Sequence, residues 1–372
     1  MCALVIVFPY EINDADSKVY SYIGNQLAYA PIVQWCAPIW RGPSKSFELF
    51  QAHPPGIFWI TALFVRIGFP GHSAALCANF LYLLLTLYII YLLVSHFGGS
   101  AFGWGAVFGY IVTPIFLQYL IRANHEVPLN LAVMTGLYGY VRSNESRKFQ
   151  TLFIVAFIFA VFIKGLSALM LVLIVLLYWI LFLKNIKGLL LILVAFILTF
   201  GTMCLFELWY QNITHGKSFW QNYLYWQGSR ATEVGFMPLN KAINFIWYLS
   251  RAIWFSIPWL FFALYGLLKS KGKNKHVLNG KFYKFCLFGA ALIILCFFLF
   301  DRKADRYIFP AYCLLSVSGT WILFSVKPRI AQLFQKKENL LFLYFSIILI
   351  IFTLLKIYFH TFHYSFIKFW SG

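Results

Sequence analysis

The sequence predicts an all-α polytopic membrane protein of about ten transmembrane helices, with juxtamembrane helices in the first outer loop. Three observations lead to this prediction. The 372-residue chain is 62% hydrophobic and only 11% charged. Its 42 Phe exceed what a soluble core of this length buries. Apolar runs of bilayer length recur along it. Cytoplasmic enzymes, secreted domains and disordered chains are therefore excluded.

The predicted spans follow one another from residue 74 to residue 359. They are residues 74–94, 102–120, 127–141, 151–163, 166–183, 188–209, 243–268, 282–300, 308–326 and 340–359. Residues 127–141 and 151–163 are short for a ~30 Å hydrocarbon core. A re-entrant hairpin broken at Lys164-Gly165 is the alternative, and it would remove one or two spans from the count.

Basic residues are concentrated in four short loops, residues 142–148, 184–187, 269–284 and 327–337. These loops hold half of the chain's 30 Lys and Arg, but of its 11 acids only Glu145 lies within them and only Glu338 directly follows one. The positive-inside rule therefore places them in the cytoplasm. The net charge of +19 reflects this topology and contact with anionic lipid, so no nucleic-acid partner is expected.

Other features of the chain restrict the fold further. The seven Cys show no disulfide or zinc spacing. Residues 1–8 are apolar but too short to span, so we expect the chain to begin inside a truncated first transmembrane helix.

The long outer segment, residues 9–55, is aromatic and polar and carries Asp14 and Asp16. Two carboxylates at a membrane surface can be desolvated, which raises a carboxylate pKa toward a value useful for a general base. The alternative is structural, because Asp16 directly precedes Ser17 and is a suitable start for a helix over residues 17–28. Both interpretations stay open on this segment alone.

Five short motifs in order resemble one family over roughly residues 10–320. They are Asp16-x-x-x-Tyr20, His53-Pro54-Pro55, Arg122-Ala-Asn-His125-Glu126-Val-Pro128-Leu129, Lys164-Gly165 and Arg302-Lys-Ala-Asp-Arg306-Tyr307-Ile-Phe-Pro310. The chain resembles the polytopic GT-C glycosyltransferases of the dolichyl-phosphate-mannose-protein mannosyltransferase type, glycosyltransferase family 39, which includes the bacterial aminoarabinose lipid A transferase. The resemblance implies a GT-C-like helical bundle.

The resemblance also implies roles for individual residues. Asp16 takes the position of the catalytic carboxylate, and Asp14 is a second catalytic candidate. His53 lies in the turn near the lipid phosphate and the metal, and Glu126 matches the acidic residue of the second outer loop. The residues expected to bind substrate are Tyr20, His53, Arg122, Glu126, Lys164, Arg302, Arg306 and Tyr307.

Charge placement supports a phosphate site independently of the resemblance. A sugar donor on a polyprenyl phosphate keeps its tail in the bilayer, so cations at the outer ends of spans would hold its phosphate. Snorkelling to lipid headgroups explains Arg302 equally well. Lys164 favours function, because it lies between two apolar runs with no obvious loop to reach.

A divalent metal is a possible cofactor, with His53, Glu48, His125 and Glu126 as candidate ligands. Family members often carry Glu before the Lys/His-Pro turn, whereas this chain has Ala52, so Glu48 would have to substitute. His125 and Glu126 are adjacent and lack the i, i+4 spacing of helical metal ligands. Around Phe219 and Tyr223, clustered aromatic residues would either stack on sugars or form an interfacial belt.

Residues 1–326 are therefore predicted to form a GT-C-like transmembrane catalytic domain. Residues 327–372 add a basic cytoplasmic loop, a last transmembrane helix and a short outer tail. The expected activity is inverting transfer of a sugar from a polyprenyl-phosphate donor to a lipid, glycan or protein acceptor, at the outer face of a bacterial cytoplasmic membrane. The alternatives are a transporter or flippase and an inactive, truncated family member. Transporters often show a repeat in hydropathy, and none is visible here.

Overall fold

The computed structural model describes residues 15–41, 47–69, 71–120, 122–231, 238–269, 280–301 and 303–336. In these ranges it is helical apart from one short ribbon, which confirms the all-α class. The α-helices are α1 (Ala15–Tyr29), α2 (Gly56–Arg66), α3 (Gly71–Gly98), α4 (Ser100–Ile111), α5 (Pro114–Tyr119), α6 (Glu126–Val141), α7 (Arg147–Lys164), α8 (Leu169–Tyr178), α9 (Ile186–Ile213), α10 (Phe219–Ala231), α11 (Pro238–Phe255), α12 (Trp259–Lys269), α13 (Lys281–Phe297), α14 (Phe309–Val326) and α15 (Pro328–Lys336). The predicted span 340–359 lies outside the described residues.

The first outer loop contains the predicted juxtamembrane helices α1 and α2. Arg66, at the end of α2, donates to the carbonyls of Ala28 (2.9 Å) and Ala30 (2.8 Å). These carbonyls lie at the end of α1, where helical partners run out, so Arg66 caps one helix and joins it to the other. Between the two helices, β1 (Ile39–Arg41) and β2 (Phe47–Leu49) form an antiparallel ribbon that was not predicted.

Helix α6 is the centre of the bundle and is buried on nearly every side. Its sequence therefore shows no polar face, as expected for a helix surrounded by other helices. It packs closely on α7, where a Cβ added at Gly139 would lie 2.7 Å from the backbone nitrogen of Phe153. Small residues at such contacts allow helix backbones to approach each other.

Helices α7 and α8 form an antiparallel hairpin that reverses at Gly165. The ring of Tyr140 in α6 lies 5.2 Å from that of Phe153 in α7 and 6.2 Å from that of Tyr178 in α8. In one straight helix Phe153 and Tyr178 would lie about 37 Å apart, because that is the length of 25 helical residues. Both rings could then not contact the ring of Tyr140. The predicted spans 151–163 and 166–183 are therefore two helices joined at the predicted break.

Two other predicted spans are broken. Residues 102–120 form α4 and α5, because Pro114 begins a new helix whose N-cap is Thr113. Residues 243–268 form α11 and α12, which are bent by 105° near Pro258. Proline lacks the backbone N–H that would continue the first helix. At both places the predicted span is divided into two helices.

Several of the described helices are long and apolar enough to cross a membrane, and the chain is an integral membrane protein. By length and composition there are 4 such stretches, Ser73–Gly98, Arg147–Leu183, Ile186–Ile213 and Asp305–Val326, or 5 if α11 and the bent α12 count as one. The second stretch contains the hairpin at Gly165.

Candidate active site

A chain of ion pairs links four of the predicted site residues. Glu126, the first residue of α6, accepts from the Lys164 ammonium at 2.7 Å. The same carboxylate lies 3.8 Å from Nε of Arg306. The guanidinium of Arg306 lies 2.5 Å from the Asp16 carboxylate. The structure thus gathers α1, α6, α7 and the short turn before α14 at one end of the bundle.

Of these ion pairs, the one between Glu126 and Lys164 is the buried half and the one between Arg306 and Asp16 is the open half. The side chains of Glu126 and Lys164 are 3% and 7% exposed, whereas those of Arg306 and Asp16 are 28% and 39% exposed. Burial alone would raise the pKa of Glu126, but Lys164 and Arg306 outweigh it and lower the pKa below its usual value. Glu126 is therefore a carboxylate that fixes two cations.

Asp16 is paired and partly exposed. More than a third of its side chain is exposed, and Arg306 balances its charge. The predicted helix start is close to correct, since α1 begins at Ala15 and Asp16 lies in its first turn. A carboxylate there also interacts favourably with the helix dipole.

Tyr20, His53 and His125 form one wall beside the ion pairs. The rings of Tyr20 and His125 meet edge to face at 4.3 Å, and the His53 and His125 rings lie 4.2 Å apart. Burial first, and then Lys164 and Arg306, hold the pKa of His125 well below its ordinary value. Its imidazole is therefore neutral at physiological pH.

Tyr307 and Arg122 lie at the edge of the site. The Lys164 ammonium is 5.4 Å from the centroid of the Tyr307 ring. The Arg122 guanidinium lies 5.5 Å from the centroid of the Tyr119 ring. The predicted residues Asp14 and Arg302 lie outside the described part of the chain.

The candidate metal ligands are not gathered around one point. Among the described residues, no three His, Cys, Asp or Glu side chains are grouped so that they could hold a metal ion. Glu48 lies on β2 opposite Trp40, within the ribbon. The described residues therefore do not fit a metal centre built from His53, Glu48, His125 and Glu126.

Sequence reasoning missed some residues that support the site. The Ser17 hydroxyl donates to the Asn124 side-chain carbonyl (2.8 Å) and accepts from the Ala123 backbone N–H (3.1 Å). These contacts join the start of α1 to the loop before Glu126. No sequence signal marked Ser17, because its partners are more than 100 residues away.

A second buried ion pair supports the segment before Arg306. Lys241 of α11 pairs with Asp301 and also donates to the Leu299 carbonyl at 2.7 Å. Asn244 donates to the Phe300 carbonyl at 2.9 Å.

Comparison with protein families supports the resemblance drawn from the motifs. The family model described as dolichyl-phosphate-mannose-protein mannosyltransferase matches residues 52–204. This range includes His53, Glu126 and Lys164 and ends before Arg306. The resemblance predicted from the sequence is thus confirmed. No curated protein sequence matches the chain.

Two crystal structures of ArnT from Cupriavidus metallidurans are similar in fold. The one bound to undecaprenyl phosphate has a TM-score of 0.66 at 14% identity, covering 88% of this chain and 59% of that chain. The apo structure has a TM-score of 0.63 at 15% identity, covering 85% of this chain and 56% of that chain. The GT-C-like fold is therefore confirmed. The present protein spans less than two thirds of the length of ArnT.

Proposed function

We propose that this protein is a membrane glycosyltransferase that transfers a sugar from a polyprenyl-phosphate donor to a lipid, glycan or protein acceptor. Reaction at the outer face of the cytoplasmic membrane is part of the proposal, as is inversion at the anomeric carbon. The chain of ion pairs from Asp16 to Lys164 is the observation that carries it. The similarity to a protein crystallised with undecaprenyl phosphate supports the choice of donor.

The two cations of these ion pairs, Lys164 and Arg306, are suited to bind the donor phosphate. Lys164 is held by Glu126 in the buried half, and Arg306 faces the open half. A guanidinium can bind two phosphate oxygens at once, so the donor would compete with Asp16 for Arg306. Binding of the phosphate would thereby release the Asp16 carboxylate next to the reacting carbon.

Asp16 then serves as the catalytic base. The acceptor hydroxyl or amine attacks the anomeric carbon while Asp16 takes its proton. The bond from that carbon to the phosphate oxygen breaks, and polyprenyl phosphate leaves with the electron pair. Lys164 and Arg306 stabilise the negative charge that develops on the phosphate. A single displacement of this kind inverts the configuration.

Turnover by the purified protein tests the proposal. With undecaprenyl-phosphate-linked sugars and a mixture of lipid acceptors, the wild type should release undecaprenyl phosphate. Asp16→Asn should lower that rate by a factor of about 10² or more, because the general base is lost. Glu145→Gln is the matched control, since Glu145 pairs with Arg142 on the loop at the opposite end of α6.

Three outcomes would contradict the proposal. Full activity of Asp16→Asn would remove Asp16 from the mechanism. Movement of the lipid-linked sugar across a vesicle membrane without cleavage would instead identify a transporter. Absence of both reactions with every lipid-linked sugar tried would leave the activity without support.

A further inference from the structure

Helix α10 contacts the reversal after Lys164 and the segment before His53, without carrying any of the charged residues of the candidate active site. We propose that Tyr223 of α10 is a positioning residue that holds Lys164 in place for the donor phosphate. The proposal rests on the function proposed above. It assigns to the aromatic segment around Phe219 and Tyr223 a role different from sugar stacking or an interfacial belt.

Tyr223 bridges the chain reversal that presents Lys164. Its hydroxyl donates to the Lys164 carbonyl at 3.2 Å and accepts from the Leu166 backbone N–H at 3.0 Å. Gly165, between these two groups, has φ +53°, a conformation that favours glycine. A Cβ there would lie 2.2 Å from the Tyr223 hydroxyl oxygen. The phenol therefore satisfies the backbone groups on both sides of the turn.

The position of Tyr223 is itself fixed. Glu207, near the end of α9, accepts from the first two backbone N–H groups of α10, those of Phe219 (3.2 Å) and Trp220 (3.1 Å). A carboxylate is favoured at this end of a helix by the helix dipole. The Tyr223 ring also lies parallel to that of Phe219, with centroids 6.0 Å apart, inside a buried aromatic cluster.

The same helix holds the loop that leads to His53. Asn222 donates to the Gln51 side chain at 3.1 Å, and Gln227 donates to the Ala52 carbonyl at 3.2 Å. Helix α10 therefore fixes the segment before His53 and the reversal after Lys164 together. Its other face points outward, where Tyr225 is 77% exposed.

A pair of Tyr→Phe substitutions on α10 isolates the hydroxyl of Tyr223. Undecaprenyl phosphate binding to the protein in nanodiscs should weaken about threefold to tenfold in Tyr223→Phe, because the hydrogen bonds that fix the reversal at Gly165 are lost. Tyr225→Phe makes the same chemical change on the exposed face and should bind as the wild type does. In turnover assays, Tyr223→Phe should raise the donor KM more than it lowers kcat.

A double-mutant cycle separates positioning of Lys164 from a general loss of packing. In a Lys164→Met background, Tyr223→Phe should have no further effect on undecaprenyl phosphate affinity, because the residue it positions is gone. An equal loss of affinity in both backgrounds would overturn the proposal. So would wild-type affinity of the single Tyr223→Phe variant.

A measurement without substrate distinguishes this proposal from the proposed function. Failure of the wild type to bind undecaprenyl phosphate would count against the function alone. In that case, the rate at which an amine reagent modifies Lys164, followed by mass spectrometry, reports its position directly. Tyr223→Phe should accelerate this modification severalfold relative to Tyr225→Phe, and equal rates would overturn the positioning role.

Discussion

Each residue of the Lys164–Glu126 pair depends on the other, because both side chains are almost completely removed from solvent. A buried charge without a partner is costly, since neither water nor a counter-ion solvates it. The exposed pair between Arg142 and Glu145 has no such constraint. The two pairs therefore give a matched comparison within one protein.

Glu126→Gln should destabilise the fold by about 3–5 kcal/mol, because it leaves the Lys164 charge buried without its counter-charge. Glu145→Gln should change stability by less than about 1 kcal/mol, as is usual for exposed ion pairs. Reversible unfolding in mixed detergent micelles measures both free energies. Equal effects of the two substitutions would show that the buried pair is not a constraint on folding.

The neutral His125 should make stability depend on pH. Its folded pKa lies well below the unfolded value of about 6.5, so the unfolded chain takes up a proton that the folded chain does not. The contribution of His125 is therefore fully present above pH ~6.5. Below that, it falls by about 1.4 kcal/mol per pH unit until the folded pKa is reached.

His125→Gln should remove this component, and the comparison with wild type over pH ~7 to 5 isolates it. Glu126 does not interfere in that window, because its pKa is lowered below its usual value and it stays ionised. Parallel stability curves for the two proteins would contradict a neutral, buried His125.

Sequence reasoning identified most of the residues that meet in the site but not how they pair. Lys164 was recognisable because it interrupts two apolar runs, and Asp16 because it follows one. Their partners, Glu126 and Arg306, are 38 and 290 residues away along the chain. These pairs are decided only by how α1, α6, α7 and α14 pack together. The catalytic role of Asp16 stays a prediction.

At the scale of single elements, the α7–α8 hairpin depends on one glycine. Gly165 has a positive φ and no room for a Cβ. Gly201, in the middle of α9, is the opposite case, because a Cβ there would meet nothing within 4 Å. The two positions therefore separate backbone strain and steric overlap from simple helix propensity.

Gly165→Ala should destabilise the protein by more than about 1 kcal/mol, since it adds both strain and a clash with the Tyr223 hydroxyl. Gly201→Ala should be neutral or stabilising by up to about 1 kcal/mol, because alanine favours a helix. The unfolding assay used for Glu126→Gln measures both. A neutral Gly165→Ala would show that the chain can reverse there in another way.

The elements were predictable from apolar runs where one run forms one helix, as in α3, α9 and α13. Prediction was wrong where proline divides a run, because hydropathy alone does not register the missing N–H of Pro114 or the bend near Pro258. It also missed the β1–β2 ribbon, whose strands are only three residues each. Such short strands leave no alternating pattern to detect.

On the scale of the whole molecule, charge is divided between the two ends of the bundle. Helix α6 begins at Glu126 in the site and ends at Val141, next to the basic loop 142–148. Its 16 residues span about 24 Å, which is less than the ~30 Å of a hydrocarbon core but is most of that distance. The hairpin of α7 and α8 then brings the basic loop 184–187 back to the same end as loop 142–148.

This arrangement predicts that the site and the basic loops are reached from opposite sides of the membrane. Single cysteines at the exposed positions Lys18, two residues after Asp16, and Asn144, in the basic loop, would be introduced after the native cysteines are replaced. In sealed right-side-out vesicles, a membrane-impermeant maleimide should label Lys18→Cys and spare Asn144→Cys. Inverted vesicles should give the reverse pattern, because the positive-inside rule holds loop 142–148 in the cytoplasm. Labelling of both positions from one side would contradict the topology and, with it, the outer location of the reaction.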